Sequence, residues 1–151
     1  MARVALVTGA AGGIGSAIVE RLESDGWLVH GVDVADADLT TPAGNRAVVD
    51  AAVARFGQLD AVVANAGFQH VAPIRDFPEE KWDALIALLL TSPFLLAKYA
   101  WDSLAASGDG RFCAISSVHG IIASPFKSGY TSANRKSTRL NSSHTDISRM
   151  P

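Results

Sequence analysis

A single cysteine, Cys113, stands in 151 residues. That excludes an internal disulfide framework and a cysteine-based zinc site, and it fits a reducing, cytoplasmic compartment. No metal centre is expected. Charged residues are sparse, at 19%, and nearly balanced, with a net charge of −2. Without a basic surplus the chain does not read as a nucleic-acid binder. Long hydrophobic runs are also lacking. The first apolar run, Val4 to Val7, is too short for the core of a secretory signal. The richest one, Ala84 to Ala97, is about fourteen residues and contains Pro93, which is core-helix length and short of a bilayer span. No membrane association is therefore expected. What the chain does have is 48% hydrophobic residues, enough for one globular domain with a real core.

The charge is unevenly spread. Residues 1–133 carry nine basic and 14 acidic side chains, whereas 134–151 carry Arg135, Lys136, Arg139 and Arg149 against Asp146 alone. In this last stretch only Leu140, Ile147 and Met150 are apolar, six residues are Ser or Thr, and no helical or strand period runs through it. Composition alone reads it as a solvated C-terminal tail. The run Lys136 to His144 also resembles translated sequencing-adapter read-through. Residues 134–151 are therefore expected to lie outside the domain formed by 1–133.

Upstream, strands and helices alternate. Arg3–Val7, Trp27–Val34, Leu59–Ala64 and Arg111–Ser116 read as short, largely apolar strands. Helical spacing runs from Ile14 through Ile18, Val19 and Leu22 to a stop at Gly26, from Pro42 to Phe56, from Glu79 to about Ser107 with a bend at Pro93, and again from near Ser128. This alternation predicts an α/β fold, a doubly wound parallel sheet of Rossmann type with right-handed crossovers.

Between the first strand and first helix lies Thr8-Gly9-Ala10-Ala11-Gly12-Gly13-Ile14-Gly15. Small residues there allow the backbone to approach a pyrophosphate, and the helix N-terminus favours its negative charge. Alone, such a stretch could be an ordinary glycine-rich turn. Asp33, at the end of the second strand and 18 residues after Gly15, adds a partner for an adenosine ribose hydroxyl and a repulsive charge against a 2′-phosphate. The pair predicts a dinucleotide site that prefers NAD to NADP. Asp38 and Leu39 could flank the adenine, although Asp38 equally fits a helix cap or turn.

These residues resemble the short-chain dehydrogenase/reductase family over residues 1 to about 133. Thr8-Gly9-xxx-Gly13-Ile14-Gly15 is similar to its cofactor loop, and Asn65-Ala66-Gly67 to its structural Asn-Ala-Gly motif. Ser117, followed thirteen residues later by Tyr130, is similar to its catalytic pair. The segments around Gln69, His119 and Lys127 resemble those of 3-hydroxybutyrate dehydrogenases, where the matching residues hold the substrate carboxylate. Singly, Gln69 fits a turn, His119 a loop cap and Lys127 a solvated loop lysine. Together beside the catalytic pair they fit an anion grip. The resemblance implies hydride transfer between NAD and a small hydroxy acid, 3-hydroxybutyrate or its keto partner acetoacetate. Tyr130 would take the hydroxyl proton and Ser117 would bind the substrate oxygen. It also implies that full-length relatives are homo-oligomers.

Two departures bear on activity. The family's lysine, one turn after the tyrosine, is Asn134 here, while Arg135 and Lys136 point to other helix faces. The family's helix asparagine, 28 residues before the serine, is Leu89. The chain is also expected to stop short of the last strands and the substrate lid, leaving the strand at Arg111–Ser116 as an open edge. These features favour an impaired, dinucleotide-binding fragment as the alternative to an active dehydrogenase. A third reading keeps the family and changes the substrate to another small ketone or an acyl carrier.

Overall fold

The computed structural model describes residues 2–143, with side-chain detail through Arg135. Four parallel strands, β1 (Val4–Thr8), β2 (Leu28–Val32), β3 (Ala61–Ala64) and β4 (Arg111–Ala114), form one sheet in the order β2-β1-β3-β4. Five helices accompany them: α1 (Gly13–Ser24), α2 (Pro42–Phe56), α3 (Glu79–Ile86), α4 (Ser92–Ala106) and α5 (Ser128–Ser143). The register sets Val4 beside Leu28, Ala5 beside Ala61 and Ala61 beside Arg111. The expected α/β, Rossmann-like parallel sheet is present.

The connection β1–α1–β2 moves one way across the sheet, and β2–α2–β3 returns the other way over β1. Right-handed crossovers therefore put α1 and α2 on opposite faces. β1 is buried along its whole length, as a central strand covered on both sides must be. A deeply buried cluster lies on one face. Val4 and Leu6 of β1 and Val62 and Ala64 of β3 pack with Val48, Val49 and Ala52 of α2 and Leu96, Ala100 and Leu104 of α4. Ala5 and Val7 point to the opposite face by strand alternation. There α1 offers Ile18, Val19 and Leu22, each only half-buried.

Helix α2 has clear local causes. The Thr41 hydroxyl accepts from Gly44 N–H at 3.1 Å, Pro42 opens the first turn, and Gly57 closes it at φ +77°. α3 and α4 form one continuous helix joined by a π turn, Ala87–Thr91. Pro93 is the cause. It has no N–H for the Leu89 carbonyl, and its ring would crowd that oxygen, so the helix widens just before it. The expected bend at Pro93 is thus this wider turn. At 28 residues, Glu79–Ala106 is long and apolar enough to cross a membrane, contrary to the fourteen-residue reading. Its Leu96, Ala100 and Leu104 are instead inside the core against α2 and the sheet.

The strands are shorter than the sequence suggested. β2 ends before Asp33 because Asp33 N–H turns to the Asp36 carboxylate at 2.8 Å. β4 ends at Ala114, and Ser116 reaches toward Asn134 instead. β4 forms one edge of the sheet, with Arg111 and Cys113 exposed and Arg111 ion-paired to Asp109. The expected boundary at residue 134 falls inside α5, whose backbone is continuous to Ser143, and Asn134 is buried. Residues 144–151 lie outside the described residues.

Candidate functional site

Two loops leave neighbouring central strands at the point where the winding reverses. In open α/β sheets that is where a crevice forms beyond the carboxyl ends of the strands. After β1 comes the glycine loop, and after β3 comes Asn65-Ala66-Gly67. Asn65 Nδ2 donates to the carbonyls of Thr8 (3.1 Å) and Gly9 (3.2 Å). The Thr8 hydroxyl accepts from the N–H groups of Asn65 and Ala66, both at 3.0 Å. Thr8 is buried and is absent from the wall of the crevice, so it acts as a pin between the two loops.

The crevice is a cavity of about 770 Å³. Gly9, Gly13, Ile14, Gly15, Asp33, Asp38, Leu39, Asn65, Ala66 and Gly67 all line it, whereas Thr8 does not. The glycines do different things. A side chain at Gly9, which sits at φ +66°, would press on the Ala66 backbone, and one at Gly15 would collide with the Gly9 carbonyl. Gly13 has open space within 4 Å, so nothing in the protein requires a glycine there. The N-cap of α1, Gly12, has no side-chain cap, which leaves first-turn N–H groups facing this space. Such a cradle fits a dinucleotide's pyrophosphate.

Asp33 already serves the fold itself. Its Oδ2 accepts from Ala11 N–H and its Oδ1 from Val34 N–H, both at 2.8 Å. A carboxylate has roughly four lone-pair sites, so the same group can still receive a ribose hydroxyl. Asp38 accepts from the hydroxyl (2.6 Å) and N–H (2.9 Å) of Thr40. Those bonds, the hydroxyl first, hold its carboxyl below the ordinary value.

Sequence reasoning missed Asn45. This buried side chain donates to the carbonyls of Leu39 (2.8 Å) and Thr41 (2.7 Å) and accepts from the Ser92 hydroxyl at 2.6 Å. It ties the cavity-lining Asp38–Leu39 turn to α4. An asparagine among apolar helix positions was the available signal. Val34 and Phe68, exposed apolar residues on the cavity wall, were missed as well.

The catalytic-pair candidates form a second cluster. Ser117 caps the turn Val118–Gly120, accepting from His119 N–H at 3.3 Å, with its Oγ 3.0 Å from His119 Nδ1. The Tyr130 ring stands edge-on to His119, with centroids 5.6 Å apart. On its other side, Gly129 lets α5 pack close to α3, since a Cβ there would press on Leu85 and Phe77. Lys127 immediately precedes α5. Gln69 is exposed on the loop after β3, and that loop is tied to the Lys127 segment by Ala72 N–H donating to the Phe126 carbonyl at 2.9 Å. Asn134, at the lysine position, donates from Nδ2 to the Tyr130 carbonyl at 2.8 Å and accepts from the Ser116 hydroxyl at 3.4 Å. Leu89 lies in the π turn with its Cδ2 close against Gly67.

The sequence model of the short chain dehydrogenase family matches residues 30–137. The chain belongs to the short chain dehydrogenase family. It is 35% identical to a D-beta-hydroxybutyrate dehydrogenase of Cupriavidus necator, over 96% of this chain and 67% of that protein. A second D-beta-hydroxybutyrate dehydrogenase, from Rhizobium meliloti, is 35% identical over 88% of this chain and 60% of its own length. The uncharacterized oxidoreductase YxjF of Bacillus subtilis is 36% identical over 87% and 59%. The chain thus spans about three fifths to two thirds of the length of these relatives. Membership makes it a member of an oxidoreductase family with a Rossmann-like fold.

Proposed function

We propose that the protein is an NAD-dependent dehydrogenase acting on a small hydroxy acid, 3-hydroxybutyrate in one direction and acetoacetate in the other. The observation that carries this reading is the cavity at the winding reversal, where Gly13 faces open space and Asp33 stands at the end of β2. Gly9 to Gly15 would hold the pyrophosphate, and Asp33 would accept from the adenosine ribose. Asp38, Leu39 and Asn65 to Gly67 would complete the cofactor wall. A 2′-phosphate would meet the Asp33 carboxylate and be repelled. When bound, nicotinamide supplies the hydride acceptor or donor.

The chain's own residues would do the rest. Tyr130 takes the hydroxyl proton on oxidation and returns it on reduction. Ser117 donates a hydrogen bond to the substrate oxygen, where charge develops. Gln69, His119 and Lys127 pair the carboxylate and so orient the reacting carbon. The catalytic residues are all assigned to 1–133, and no residue of 134–151 is given a direct catalytic role. One observation favours slow turnover: Asn134 brings no positive charge to Tyr130, and its amide is engaged with the Tyr130 carbonyl.

The test is cofactor titration of the purified protein, followed by NAD reduction with 3-hydroxybutyrate. NAD is expected to bind at least tenfold tighter than NADP, and Asp33→Asn is expected to narrow that ratio. Equal affinity for the two cofactors would remove the role of Asp33. Turnover of neutral secondary alcohols in preference to 3-hydroxybutyrate would remove the hydroxy-acid assignment.

A further inference from the structure

We infer that His119 is a positioning residue that couples capture of an anion to the orientation of the Ser117 hydroxyl, an inference that rests on the proposed hydroxy-acid reading. The Ser117 oxygen has one proton to donate and two lone pairs. One lone pair receives His119 N–H at 3.3 Å. Nδ1 of the same residue, 3.0 Å away, decides what the rest of the hydroxyl does. If Nδ1 carries a proton, it fills the second lone pair and the Ser117 O–H is free for the substrate oxygen. If Nδ1 is bare, the O–H is donated to the ring and is lost to the substrate.

The far nitrogen supplies the link. Nε2 of His119 is buried without a hydrogen-bond partner among the described residues. A buried ring nitrogen left so is unfavourable, and a ligand carboxylate can supply the partner. A neutral imidazole has a single N–H. If Nε2 gives that proton to a ligand carboxylate, Nδ1 is bare and Ser117 is turned the wrong way. Only the imidazolium can donate to the anion and to Ser117 together.

The surroundings decide when that ion forms. α5 is the element packed on the Val118–Gly120 turn. Its titratable groups among the described side chains are Tyr130 and Arg135, and Lys127 directly precedes it. Neither the turn nor this part of α5 contains a carboxylate. The ion therefore lacks an acidic partner on these two elements, and a bound carboxylate provides one. An anionic substrate thus sets the hydroxyl that its own reaction needs, whereas a neutral ketone of the same size does not.

The test uses the full chain with reduced cofactor, ¹⁵N-labelled at histidine. His119 is assigned by comparison with His119→Gln, and spectra are recorded about one pH unit above the ordinary imidazole value of about 6.5. Acetoacetate is the anionic probe and acetone the neutral one. The expected result is that acetone leaves the protonation of His119 as it is in the cofactor complex. With acetoacetate both ring nitrogens become protonated, and calorimetry in two buffers reads uptake of about one proton per bound anion, absent in His119→Gln. That variant is also expected to bind acetoacetate roughly ten- to hundredfold more weakly, the loss of one charge-assisted hydrogen bond. Acetoacetate that binds while His119 stays neutral, or finds it already protonated, overturns the coupling and leaves the hydroxy-acid reading standing. Acetoacetate that fails to bind overturns that reading and the coupling with it.

Discussion

Asn134 shows how much one side chain decides. It occupies the helix position one turn after Tyr130, and its amide is held by the Tyr130 carbonyl and the Ser116 hydroxyl. A cation at that position would stabilise the phenolate and favour proton uptake from the substrate. Asn134→Lys is therefore expected to raise the rate of NAD reduction by about tenfold or more and to move the rising, acid-side limb of its pH profile to lower pH. An unchanged rate would show that the missing charge is not what limits turnover. His30 makes a different residue-scale prediction. Burial disfavours its charged form, Arg55 adds repulsion, and Asp36 only partly opposes them, so its folded value lies below the ordinary one. The unfolded chain then takes up a proton at about pH 6.5 that the folded chain resists. That contribution to stability is full above about pH 6.5 and declines as pH falls through it. Thermal midpoints measured across that range should fall more steeply for the native chain than for His30→Gln, and parallel curves would contradict the assignment.

At the scale of elements, local chemistry was the legible part. Helical spacing from Pro42 to Phe56 was legible in sequence, and α2 has those bounds, with Thr41 as its cap and Gly57 at its close. The glycine loop and Asp33 likewise announced a shared crevice, which their positions after β1 and β2 produce. What sequence could not reveal was tertiary satisfaction. Thr8 read as part of a ligand loop, yet its hydroxyl is taken by Asn65 and Ala66. Asn45 was missed, yet it joins α2, α4 and the Asp38–Leu39 turn. The π turn was half legible, because Pro93 signals a disturbed helix but not whether it kinks or widens. The importance of Asn45 is measurable. Asn45→Leu leaves the Leu39 carbonyl and the Ser92 hydroxyl without their partner, while the Thr41 carbonyl keeps the backbone N–H of residue 45, a loss of about 3 kcal/mol in denaturant unfolding. Cofactor affinity should fall with it, because Asp38 and Leu39 lose their tether. A variant as stable as the native chain would show that water replaces the side chain at no cost.

Across the whole molecule, burial is lopsided. The face toward α2 and α4 holds the deep core, while α1 covers the other face with side chains that are only half-buried. Regions with little buried apolar surface open locally at lower free energy than the core. Amide hydrogen exchange should therefore be at least tenfold faster in α1 than in β3 and α4, and uniform protection would contradict that picture. Added NAD should slow exchange in α1 first. α1 is also the helix that begins at the glycine loop. A dinucleotide clasped by it would act as a splint on the loosest part of the scaffold, worth about 2.7 kcal/mol at a hundredfold excess over Kd. Occupancy and integrity would then rise together, so that nucleotide supply governs how long each molecule lasts as well as how fast it works.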